Sequence, residues 1–186
     1  NKNYPNVWQI LNKDNLSTGI YGSLHSSNTT HEIKNHKFYI PDIFSSHSIC
    51  HPKSLQLFQD FQLNLSRKSS RNVDKSIGGK KAIKTFISLL KNGLTFQTFI
   101  KILNQLFLEK FFKGNLNRRR TLQADINFDI YLKLLNENNP NFSTFFSNHV
   151  ASSMHRYWEA AFPNDYKKQI HSSKWIKKYR GEISYA

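Results

Sequence analysis

The chain has 186 residues, of which 38% are hydrophobic and 14% aromatic, with Phe alone occurring 15 times. That much large apolar side chain excludes a disordered polymer and suffices for one domain with a sizeable core. Lys and Arg outnumber Asp and Glu by 27 to 12, a formal +15, and such a field attracts polyanions: nucleic acid, phosphorylated or sulfated substrates, and anionic membrane surfaces.

In chain order, Pro5 to Asp14 places Val7, Trp8, Ile10 and Leu11 at helical spacing behind a proline suited to a helix start. A turn at Asn15–Gly19 leads into Ile20-Tyr-Gly-Ser-Leu24, an apolar run that suits a buried strand. Residues 25–36 are polar and loop-like. Lys37-Phe-Tyr-Ile-Pro41 is a second short strand, ended by a proline that cannot donate to a ladder. Helix, turn and strand in this order are pieces of a β-α-β unit, which builds parallel sheets.

From Pro52 the period changes. Leu55, Phe58, Phe61, Leu63 and Leu65 predict a helix, and Ile83, Phe86, Ile87, Leu89 and Leu90 a second one that stops at Asn92-Gly93. Thr95 is placed to cap a third, whose Phe99, Ile100, Ile102, Leu103, Leu106, Phe107 and Phe111 form a broad apolar face. Leu122 to Asn136 predicts a fourth. Phe142–Phe146 is a returning core strand, and His149–Phe162 a final helix closed by Pro163. The expected fold class is α/β: a partial parallel sheet flanked by helices, with a cap-like helical insertion. The expected segments are 1–51, 52–137 and 138–186. Trp8 and Trp158 are expected in the core, and Trp175, set among lysines, on the surface.

Cys50 is the single cysteine, so no intrachain disulfide is possible and nothing reads as a Cys-type zinc site. Lys84, Lys91, Lys101, Glu109 and Lys110 interrupt the apolar stretch at 83–112, so no transmembrane span is expected. With no leader visible, these features fit a cytoplasmic setting. The abrupt ends, without an initiator Met, point to an excerpt of a longer protein.

Chemistry in α/β sheets gathers beyond the carboxyl ends of the strands. Asn148, His149 and His155 stand beside such an end and are candidates to hold a divalent metal, since neutral imidazole supplies a nitrogen that zinc prefers, or a phosphate-like oxyanion. A structural histidine packed beside Trp158 is the alternative. His25 and Ser26 follow the first strand and are candidates to line the same crevice. His31, His36, His47 and His51 show no ligand spacing and read as surface loop residues. Tyr21-Gly-Ser-Leu-His25 lacks the second glycine of a nucleophile elbow, and Gly78-Gly-Lys-Lys81 lacks P-loop spacing. Arg118-Arg-Arg120, near a helix start, reads as a solvent-facing cluster or a phosphate contact.

Phe145-Phe-Ser-Asn-His-Val-Ala-Ser-Ser-Met-His-Arg-Tyr-Trp158 resembles the segment of type I phosphodiesterase and nucleotide-pyrophosphatase-like members of the alkaline phosphatase superfamily in which a strand delivers metal ligands and a His precedes aromatic-Trp. Asn6–Leu24 is similar to the family's helix-then-strand unit, and Phe38–Phe44 to the extended segment after it, so the likeness covers about 4–50 and 140–163. The resemblance implies a hydrolase of phosphate or sulfate esters with two metal ions, usually zinc, and a Thr or Ser nucleophile. His155 matches the family's His ligand. The family's Asp four places earlier falls on Ala151; a short insertion would put Asn148 or His149 in that role, but Asn is a weaker, neutral ligand, so two-metal competence is in doubt unless His149 substitutes. With the nucleophile and remaining ligands implied outside these residues, the chain alone is expected to be inactive. Two alternatives stand beside this: a basic nucleic-acid or polyanion binding module, and a non-catalytic member of the same superfamily.

Overall fold

A computed structural model describes residues 4–24, 26, 32–71, 79–111 and 113–186. The chain divides into two compact units, Asn1–Thr95 with Asn127–Phe146, and Phe96–Ile126 with Ser147–Ala186. The helices between 52 and 137 are thus shared out between both units.

The first unit is α/β. It holds α1 (Val7–Lys13), β1 (Thr18–Tyr21), β2 (Phe38–Ile40), α2 (Gln56–Arg71), α3 (Gly79–Lys91) and β3 (Phe142–Phe145). The three strands form a parallel sheet in the order β2-β1-β3, with Gly19 opposite Phe38 and Ser143. All residues of β1 and β2 are buried, as continuous apolar strands of a parallel sheet should be. Helix α1 opens where the Asn6 backbone N–H donates to Gln9 Oε1 at 2.8 Å, and it closes through Asn15, whose φ of 59° is left-handed. Trp8 packs against Ile20, Ile33 and Tyr39. Helix α3 ends at the expected signal: Gly93 has φ 113°, and the Leu94 N–H returns to the Leu89 carbonyl at 3.0 Å.

Two histidines read as surface loops have structural roles instead. His36 is buried, with Nδ1 2.7 Å from Thr18 Oγ1 and its ring stacked on Tyr39. His51 forms an antiparallel bridge with Tyr39, the two residues exchanging backbone hydrogen bonds of 2.7 and 2.8 Å. His31 lies outside the described residues.

Helix α5 (Arg119–Asn138) runs through the boundary of the two units. In the first unit its Tyr131 ring sits 5.0 Å from Phe145, 6.0 Å from Tyr21 and 6.1 Å from Phe38. A polar chain runs through the same unit. Tyr21 Oη donates to Asn127 Oδ1 (2.8 Å), Asn127 Nδ2 to Gln62 Oε1 (2.9 Å), Gln62 Nε2 to Gln59 Oε1 (3.3 Å), and Gln59 Nε2 to the Pro41 carbonyl (3.0 Å). Gln59 and Gln62 are both buried.

The second unit is helical: α4 (Phe96–Phe111), the start of α5, α6 (His149–Ala161), α7 (Ser173–Tyr179) and α8 (Glu182–Tyr185). Helix α7 lies in the basic tail and has no counterpart in the sequence reading. Its first turn is capped by Ser172 Oγ, which accepts from the Trp175 N–H at 3.3 Å. Trp175 is half-buried, not exposed, because its ring stacks on His171 at 3.9 Å and meets Tyr179 and Tyr157.

Candidate anion-binding site

Electrostatic pairing in the helical unit consumes its carboxylates and leaves cations over. Glu182 accepts Arg118 (2.8 Å), Glu109 accepts Arg119 through both oxygens (2.7 and 2.5 Å), and Asp125 accepts Lys101 (2.9 Å). Buried Glu159 accepts His171 Nδ1 and the backbone N–H groups of Ile170 and His171. Asp165 accepts the Trp158 indole at 2.8 Å. These are all five carboxylates of the unit. Among the described residues, no carboxylate pairs with Arg120, Arg156 or the Lys and Arg residues of 167–180.

The arginine triplet therefore splits. Arg118 and Arg119 are tied up by carboxylates 64 and 10 residues away. Arg120 is half-buried, and its one hydrogen-bond partner among the described residues is Ser152 Oγ, to which Nη1 donates. Ser152 and Arg156 are four apart on α6, so they share a helix face. Burial first, and then the charge of Arg156, hold the Arg120 guanidinium below its ordinary pKa, against a smaller opposing influence from Tyr157. The Arg120 guanidinium and the Ser152 hydroxyl, with Arg156 one turn further along α6 and no carboxylate on either arginine among the described residues, present donors suited to a phosphate or sulfate group. The i, i+4 spacing of Ser152 and Arg156 is visible in the sequence. Which arginine of the triplet goes without a carboxylate among the described residues is not, because it depends on where distant carboxylates land.

The metal candidates are placed differently. Asn148 precedes α6 without a side-chain capping bond, and His149 Nδ1 is engaged with Ser147 Oγ at 2.9 Å. His155 is exposed and makes no hydrogen bond among the described residues. Six residues on a helix correspond to roughly 120° of net rotation, so His149 and His155 face different directions. Among the described residues no three His, Cys, Asp or Glu side chains come together as metal ligands. These residues do not by themselves fit a zinc ion.

Ser26 is fully buried; its carbonyl accepts Tyr39 Oη at 2.7 Å, and its own Oγ has no partner among the described residues. His25 lies outside the described residues. A polar cleft of about 300 Å³ in the α/β unit is lined by Ser46, His47, Ser48, Ile49, Asp60, Leu63 and Asn64, and it includes none of the expected site residues.

Comparison with protein-family models, curated proteins and solved structures finds no match.

The carboxylate clamps make a pH prediction. Burial pushes the Glu109 carboxyl up, but hydrogen bonds from Arg119 and Gln105 and the Arg119 charge outweigh it and leave it below its ordinary value. Glu159 is lowered chiefly by its hydrogen bond from His171, against a smaller opposing effect of burial. A carboxyl with a depressed folded pKa binds fewer protons when folded. Its stabilisation is complete above the unfolded value of about 4.3 and is lost as pH falls through the folded value. The urea midpoint is expected to fall between about pH 5 and 3, and Glu109→Gln should flatten part of that fall.

Proposed function

We propose that this protein binds phosphate-bearing polyanions through its helical unit. The observation that supports the reading is the half-buried Arg120, hydrogen-bonded to Ser152 one helical turn from Arg156, with no carboxylate among the described residues to neutralise either arginine. Burying an arginine costs solvation free energy, which a bound anion would offset. The uncompensated basic residues of 167–180 add a wider attractive field.

The test is a binding isotherm with fluorescent polyphosphate. Each neutralised phosphate releases counterions, so affinity should fall roughly tenfold or more between 50 and 200 mM salt. An Arg120→Gln, Arg156→Gln double variant should bind more weakly and reduce the log–log salt slope by about 1–2. Binding indifferent to salt, or unchanged in the double variant, would overturn the proposal.

The ester hydrolase implied by the sequence resemblance is the second reading. It is supported by the parallel sheet and by His155, which stays open to solvent and unpartnered among the described residues. In it, α6 would supply only part of a ligand set.

A further inference from the structure

Helix α4 is amphipathic in the unexpected sense. At 100° per residue, Phe96, Ile100, Leu103 and Phe107 fall on one face and Thr98 and Gln105 on the opposite one. The apolar face is the exposed one: Phe96 is 77% and Phe107 63% exposed, while Thr98 and Gln105 are 4% and 6% exposed. Leu106 and Phe111 widen the exposed stripe.

This orientation is held by polar clamps. Gln105 Nε2 donates to the Asn115 carbonyl and to Glu109 Oε1, both at 2.7 Å. Glu109 is gripped by Arg119, and Lys101 by Asp125. Turning the helix to bury its phenylalanines would break all of these and bury Lys110 with them. A monomeric soluble protein rarely leaves so continuous an apolar stripe uncovered.

We infer that α4 lies in the plane of an anionic lipid surface, with its phenylalanine and leucine side chains among the acyl chains and the basic residues of its unit at the headgroups. This rests on the phosphate-binding reading, and names lipid headgroups as the source of the phosphate. Charge decides between occupants. A second copy would bring the same excess of Lys and Arg, with every carboxylate of the unit already engaged, so self-association works against repulsion. An anionic bilayer satisfies both the apolar face and the charge. Lys110 is suited to the boundary: its Nζ sits 5.9 Å from the Phe111 ring, and Phe111 packs 4.8 Å from Phe107. No described helix is long and apolar enough to cross a membrane, which agrees with a helix lying on the surface.

The test is co-sedimentation of the full chain with vesicles of phosphatidylcholine alone and of phosphatidylcholine with phosphatidylserine, beside the polyphosphate isotherm. Leu103→Gln with Phe107→Gln removes apolar surface from an exposed face, and circular dichroism checks its fold. Expected are binding to the mixed vesicles only, a loss of tenfold or more in the variant, and an unchanged polyphosphate isotherm. Polyphosphate binding without vesicle binding overturns the inference and leaves the phosphate reading standing; failure of both overturns both. Equal vesicle binding by the variant, or a wild-type dimer that the variant dissociates, also overturns it, the latter in favour of a second copy.

Discussion

Gly19→Ala is expected to be among the most damaging single substitutions in the α/β unit. A Cβ at this position would lie 2.3 Å from Phe38 Cζ, 2.5 Å from Cε1 and 2.9 Å from Cε2. Neither partner has room to yield. Gly19 is in the central strand, paired on both sides, and the fully buried Phe38 ring is backed by Tyr131. Overpacking a close-fitting core costs typically 1–3 kcal/mol, and a clash this deep belongs at about 3 kcal/mol or above. The urea midpoint measures it, and the cause is separable. Phe38→Leu should cost stability alone but recover part of the loss when combined with Gly19→Ala, giving a favourable coupling in a double-mutant cycle. An alanine variant of wild-type stability would show that the ring does not lie over the glycine.

Gln62→Leu tests the buried polar chain. The side chains are close in volume, so the substitution leaves little cavity, but it removes the acceptor of Asn127 Nδ2 and the donor to Gln59 Oε1. Each buried group left without a partner costs about 1–3 kcal/mol, so a loss of about 2–4 kcal/mol is expected. Asn64→Leu is the control. Asn64 is exposed and, among the described residues, its side chain bonds only the carbonyl one turn back at Asp60, so the change should stay within about 0.5 kcal/mol. Equal effects at the two positions would show that the chain of amides carries no special share of the stability.

Much of this fold was legible before the coordinates. Short apolar runs at 20–24, 37–41 and 142–146 predicted strands, and all three pair in parallel, but β1 starts at Thr18 and ends at Tyr21, and β3, expected in the core, is half-buried along its length. Asn92-Gly93 marked a helix end because few other pairs take the left-handed turn cheaply. What stayed hidden depends on distance in sequence. The apolar stripe of α4 was legible, but not the direction it faces, which is set by Asn115, Arg119 and Asp125 beyond the helix. Gln59 and Gln62 look like the solvent side of an amphipathic helix until Asn127 and Pro41 are seen to meet them. Helix α7 was masked by its lysines, although Ser172 and the Trp175–Tyr179 spacing are local signals. At the candidate site, the triplet of arginines was conspicuous and the split among them was not.

The bridge between Tyr39 and His51 has a consequence for how the molecule behaves at high concentration. A strand that ends a sheet offers its free amides and carbonyls to any extended chain nearby, which is how ordered aggregates recruit new members. By occupying both backbone groups of Tyr39, the loop at His51 closes that flank with a single bridging residue followed by a proline, which has no N–H to offer a further strand. Accretion past β2 would first have to displace this plug.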